Sequence, residues 1–435
     1  MSDWTERDLI YWDEKILRIA EDLGLDWHPI DYEIIDYQEM MGAMAYTGLP
    51  THYRHWSYGK EYERTHTLYN MGQTGLPYEM IINSNPSIAY LMRENALYVH
   101  VLTMAHCVGH SDFFKNNRMF ADTNPNNIID SFKSAARYIR KLIEDPSIGI
   151  DKVEEVLDAA HAIKYQVPRF GGIKTKSREE TLQVESKKMQ KDPTYRPNLE
   201  KVPLRPDYNL LKFIAEHSNQ LKEWERNLIL IVEESSNYFI PQALTKVMNE
   251  GWACTIHYRI LNELNLPDKL HLPFIKLHNQ VIRPHLGQIN PYHLGYKLFE
   301  KIINDVGFEE AISIREIHND ITFLRFYLDE EFMKDMNYFS YSFKKDKKSA
   351  TIDDVADADG WESIRDHMIN NIGLNRIPVV YVDEVEKNNT LCLVHEYDNR
   401  DLDLKYAKKV YNYIKSLWRD DVKLVSYVEN EIWEF

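Results

Sequence analysis

The residues best placed to do chemistry are His106-Cys107-Val108-Gly109-His110. Histidines at i and i+4 lie one turn apart on the same side of a helix. Two imidazoles so placed can hold one Zn²⁺ at ~2.0–2.1 Å each. A second group follows in Met248-Asn249-Glu250-Gly251-Trp252-Ala253 and its helical continuation to His257. Offsets of four and seven put Glu250, Cys254 and His257 on one helical face, and all three residue types ligate metal. The plainer alternative has Glu250 paired with Lys246, Cys254 as a small core residue and His257 as a hydrogen-bonded core histidine. Cys107 beside His106 makes a poor nucleophile–base pair, because neighbours on a helix diverge by ~100°.

Positioning these groups needs long buried helices. Asn85-Pro86 reads as a cap and first turn, and the spacing predicts one mostly apolar helix over about 86–114. The second group falls on a helix over 241–264, and a strand, YEMIIN, is expected at 78–83. Further helices are expected at 4–24, 31–46, 126–145, 151–164, 208–237 and 291–305. Residues 47–77, with His52, Tyr53, Arg54, His55 and Trp56, read as an ordered loop or short hairpins, an aromatic packing unit or a polar rim over a pocket. The polar stretch of about 168–206 is the best place for a mobile insertion. From about 313 the pattern changes to short runs, FLRFYL, NYFSYSF, PVVYVDEV, TLCLVHEY and KLVSYV, with helical stretches at 360–372 and 402–418 and an Asn388-Asn389 hairpin. The expected class is α+β: a mainly helical domain over 1–312 and an α+β domain over 313–435.

Composition narrows the function. Of 435 residues, 52 are Lys or Arg and 68 Asp or Glu, a net charge of −16 that speaks against nucleic-acid binding. No apolar run approaches the ~20 residues of a membrane span. The opening MSDWTERDLIYWDEK is unlike a secretory signal, and three cysteines make no disulfide framework, so the cytoplasm is the expected compartment.

HxxGH on one helix and NEGWA on a later one resemble the paired motifs of gluzincin metallopeptidases. That likeness implies His106, His110 and Glu250 as ligands of zinc or another divalent metal, with Cys107 standing where the catalytic glutamate would be. YEMIIN resembles the edge strand that binds substrate in those enzymes. The wider runs GLPTHYRHWSYGK, YEMIINSNPSIAYLMREN, AHCVGHSDFFKNN, TKVMNEGWACTIHY and INPYHLGYKLFE resemble the SpoVR family, stage V sporulation protein R. The resemblance implies a cytoplasmic bacterial protein needed for spore cortex formation, with no settled reaction. His257 is then a fourth ligand or a residue hydrogen-bonded to one. Glu94, expected on the same helix as His106 and His100, and Glu233 or Glu234 are the stand-in catalytic bases. The competing expectation is a non-catalytic scaffold that recruits protein partners during sporulation.

Overall fold

The computed structural model describes residues 3–71, 75–169, 176–204, 207–285, 288–343, 350–357, 360–429 and 431–435. In chain order the first elements are α1 (Glu6–Asp22), β1 (Ile30–Ile35), α2 (Tyr37–Ala45), α3 (Trp56–Asn70), β2 (Glu79–Ile82), β3 (Ser87–Met92), α4 (Leu97–Asn116), α5 (Ile128–Glu144), α6 (Gly149–Ala162), α7 (Arg178–Lys191), α8 (Leu210–His217) and α9 (Glu223–Leu244). Next come α10 (Lys246–Glu263), α11 (Asp268–Val281), α12 (Pro291–Val306), α13 (Phe308–Ile317), α14 (Asp320–Tyr327), α15 (Glu330–Asp335), β4 (Phe339–Phe343), β5 (Ala350–Val355) and α16 (Trp361–Asn370). The chain closes with β6 (Val380–Val385), β7 (Leu391–His395), α17 (Leu404–Trp418), β8 (Val422–Val428) and β9 (Glu431–Glu434). The class is α+β with a helical majority.

Packing groups these elements into two compact units. One comprises Met1–His52, Trp56–Ser131 and Pro241–Arg376; the other comprises Tyr53–His55, Phe132–Ile240 and Ile377–Phe435. Residues 313–376, expected from their short apolar runs to belong to the C-terminal domain, group with the first unit. The reason is burial: Phe323, Leu324, Ile364, Met368 and Ile369 join the core cluster that also holds Val101, Met104, Met248 and Trp252.

In the first unit α4 is buried along its length from Val99 to Phe114 and packs mainly on α10, which packs in turn on α12. Two small-residue contacts set these spacings. A Cβ on Gly109 would stand 2.7 Å from the Ala253 Cα, and one on Gly251 would stand 2.3 Å from the Gly295 carbonyl carbon. A three-stranded sheet, order β1-β3-β2, adjoins α4. In the second unit the sheet runs β6-β7-β8-β9, with β7 and β8 parallel and α17 packed on β8 and α6.

Several expectations are corrected. The helix predicted from 86 begins at Leu97, and Ser87–Met92 is a strand. SIAYLM is bonded on both sides, parallel to β1 (Ile30↔Ser87) and antiparallel to β2 (Glu79↔Leu91). A short apolar run does not by itself distinguish buried strand from buried helix, so the sheet partners decide. Residues 31–46 likewise split into β1 and α2. Asp36 accepts from the Gln38 and Glu39 amides while Glu39 accepts from Asp36, a capping box that starts the helix only there. The expected loop at 47–77 contains α3, whose Lys60, Glu61, Glu63 and Arg64 are good helix formers. FLRFYL forms helix α14, capped by Asn319, in place of a strand. The 168–206 stretch carries α7, started by a Ser177–Glu180 capping box; its residues 170–175 and 205–206 lie outside the described residues.

Candidate metal centre

His106 and His110 sit one turn apart on α4, ring centroids 4.5 Å apart and nearly perpendicular, both buried. Glu250 comes from α10. Its Oε2 lies 3.4 Å from His110 Nε2 and 3.7 Å from His106 Nε2. Donors ~2.0–2.1 Å from one tetrahedral ion stand ~3.3–3.4 Å from each other; the two imidazole–carboxylate separations are close to that, and the three donor atoms lie within 4.8 Å of one another. His106 Nε2 and Glu250 Oε2 are buried without a hydrogen-bond partner. Such atoms are costly unless something else meets them, and the imidazole–carboxylate donor set suits a divalent metal. The residues therefore fit the ion that the resemblance implies.

Around this triad the rings are oriented by hydrogen bonds. His110 Nδ1 donates to Asn249 Oδ1 at 2.8 Å, which turns its Nε2 lone pair inward. His106 Nδ1 lies 2.9 Å from His257 Nδ1, and His257 Nε2 lies 2.8 Å from His278 Nδ1. The separation of 2.9 Å is a hydrogen-bond length, shorter than two ligands of one tetrahedral ion keep. Both nitrogens of His257 are thus engaged by other rings. Cys254 Sγ approaches His106 and His257 to within 4.8 Å, its thiol pushed well up by burial and by Glu250 and Glu79.

Electrostatics divide the group. Burial, reinforced by the nearby His110, lowers His106 to about 4. Burial and the neighbouring His106 hold His257 well below the usual range. For His110 burial lowers the value, but the close carboxylate of Glu250, with the Asn249 hydrogen bond, outweighs it and raises it. Burial alone would raise Glu250; the imidazoles of His106 and His110, 3.7 and 3.4 Å away, outweigh it and hold the carboxylate ionised.

A second carboxylate enters from β2, one that the sequence reading passed over. Glu79 Oε1 lies 3.8 Å from His106 Nε2, and burial raises its pKa to about 7. An acid in the otherwise apolar EMII strand was the available signal. Tyr292 of α12 stacks on His106 at 6.2 Å, its hydroxyl kept protonated by burial and by Glu250 and Glu79. His278 of α11 ends the histidine chain.

Glu94 occupies an exposed turn between β3 and α4, off the helix on which it was expected. Glu233 and Glu234 belong to the second unit. There Glu233 accepts from Asn209 and Asn237 at 2.7 Å each, while Glu234 is exposed. His100 is buried on α4 against Trp4 at 4.7 Å.

No helix among the described residues is long and apolar enough to cross a membrane. No solved structure matches the chain. It is 32% identical to an uncharacterized protein, YcgB, of Escherichia coli (strain K12), over 97% of this chain and 92% of that one. A family model described as SpoVR like protein matches residues 3–377, which include every residue of the centre, and the chain therefore belongs to the SpoVR-like family.

Proposed function

We propose that the protein is a metal-dependent hydrolase that acts on an amide-type bond in bacterial spore cortex formation, working in the cytoplasm with protein partners. His106, His110 and Glu250 would hold the cation, zinc first. The observation that carries the reading is the buried pair of unmet atoms, His106 Nε2 and Glu250 Oε2, facing each other across 3.7 Å. A divalent cation there would supply Lewis acidity toward water or an amide carbonyl. The chain itself supplies the rest. Asn249 holds His110 with Nε2 free. Glu79, at about 7, is suited to exchange a proton near neutral pH, the role for which Cys107 is unfit because burial keeps its thiol protonated. Tyr292 offers a hydroxyl donor beside both carboxylates.

Cys107 in the place of the gluzincin acid favours a second reading, a non-catalytic protein that recruits sporulation partners. Elemental analysis of the purified protein, with complementation in a sporulating host, separates the two. The hydrolase reading expects bound metal in the wild type, metal without function in Glu79→Gln, and neither in Glu250→Gln. Full cortex formation by both variants would leave the interaction protein.

A further inference from the structure

Three buried imidazoles on three helices form one hydrogen-bonded line. His106 of α4 meets His257 of α10 at 2.9 Å, and His257 meets His278 of α11 at 2.8 Å. All three are at most 2% exposed. His278 is clamped by aromatic rings: Tyr258 stacks on it at 4.6 Å, and Tyr296 meets it edge-on at 5.1 Å. We infer that His278 is a positioning residue of the metal centre, setting through His257 the tautomer in which His106 presents Nε2 as a lone pair. The inference rests on the metal-site reading and extends it to residues 257 and 278.

The argument is one of proton counting. A neutral imidazole carries one N–H and one lone pair. If His106 Nε2 is to bind a cation, its proton must be on Nδ1, donated to His257 Nδ1. His257 then carries its own proton on Nε2 and donates it to His278 Nδ1. His278 must accept there and keep its proton on Nε2. Run backwards, the same line has His278 Nδ1 donating to His257 Nε2, His257 Nδ1 donating to His106, and a proton on His106 Nε2 that blocks the site. Each ring stays neutral in either direction, so whether His278 Nδ1 accepts or donates decides between a ready and a blocked centre. Hydrogen-bond partners of this kind typically change metal affinity 10–100-fold.

The test uses the full chain stripped of metal and titrated with Zn²⁺ against a chromogenic chelator. Side-chain ¹⁵N spectra report the His106 tautomer. His278→Phe, which removes the acceptor, is expected to weaken zinc binding about 10–100-fold and to populate Nε2–H on His106. His278→Asn, which keeps an acceptor oxygen, is expected to restore most of the affinity. Should the phenylalanine unfold the chain, His278→Leu serves the same purpose. Wild-type zinc affinity with an unchanged His106 tautomer in a folded His278→Phe or His278→Leu variant overturns the inference while leaving the metal site standing. Zinc binding absent from the wild type overturns the metal-site reading and this inference together; binding lost in His106→Ala and Glu250→Gln shows that the reading itself holds.

Discussion

The α4–α10 pair buries two carboxylates in opposite conditions. Asp112, two residues after His110, is saturated. Its Oδ1 accepts from the Asp26 amide at 2.9 Å and pairs with Arg315 Nη2 at 3.2 Å, and its Oδ2 accepts from Trp252 Nε1 at 2.8 Å. Glu250, two residues before Trp252, has an Oε2 with no hydrogen-bond donor, facing an equally unmet His106 Nε2. Both carboxylates sit on the same two packed helices, so burial alone does not explain the difference. Saturation marks a group retained for stability. Unmet donors and acceptors that converge mark a group retained for something that binds.

The comparison can be broken where its energies differ most. Asp112→Ala removes the buried carboxylate partner of the Arg315 guanidinium, which is 1% exposed and whose remaining ion pair is with Glu316 at 3.5 Å, and should cost ~3–5 kcal/mol in urea unfolding at neutral pH. A cost below ~1 kcal/mol would remove the contrast. Glu250→Gln should behave oppositely: metal-free stability within about 1 kcal/mol of wild type, because no saturated network is lost. With zinc at 100 times Kd the wild type should gain ~2.7 kcal/mol and the variant little of it, measured as a zinc-dependent shift in Tm.

Gly109→Ala tests whether the helix spacing serves the site. Its Cβ would meet the Ala253 Cα at 2.7 Å, so α4 and α10 must part. A loss of ~1–3 kcal/mol is expected. Zinc affinity should fall with it, since His106 and His110 then move away from Glu250; unchanged affinity would show the spacing to be irrelevant to the centre.

The last test reads a slope with pH and concerns Asp320. It accepts from the Val247 and Met248 amides at the start of α10, and burial raises its carboxyl from 3.8 to about 7. Between those values the folded state holds a proton that the unfolded chain has released, so this group makes stability fall as pH rises across the window and level off above it. Asp320→Asn keeps an acceptor for one of the two helix amides, removes the titrating proton, and should flatten that slope in Tm measured from pH 4 to 8. A slope equal to wild type would assign the pH dependence to other groups.

Local pattern carried much of this protein. The i, i+4 spacing of His106 and His110 puts both rings on one helical side whatever surrounds them, because helical rotation is a property of the backbone. The buried character of α4 follows from its apolar composition, and the hairpin between β6 and β7 turns where Asn389 adopts φ 73°. Tertiary contact decided the rest. Ser87–Met92 became a strand because β1 and β2 were there to bond it. Glu79 and His278 joined the centre from β2 and α11, at sequence distances of 27 and 172 residues from His106, and Glu94 fell in the turn before α4 when the helix began later than expected. Spacing within one helix is set by its own backbone bonds, whereas the meeting of separate elements depends on which faces bury best against each other, and that is a property of the whole core.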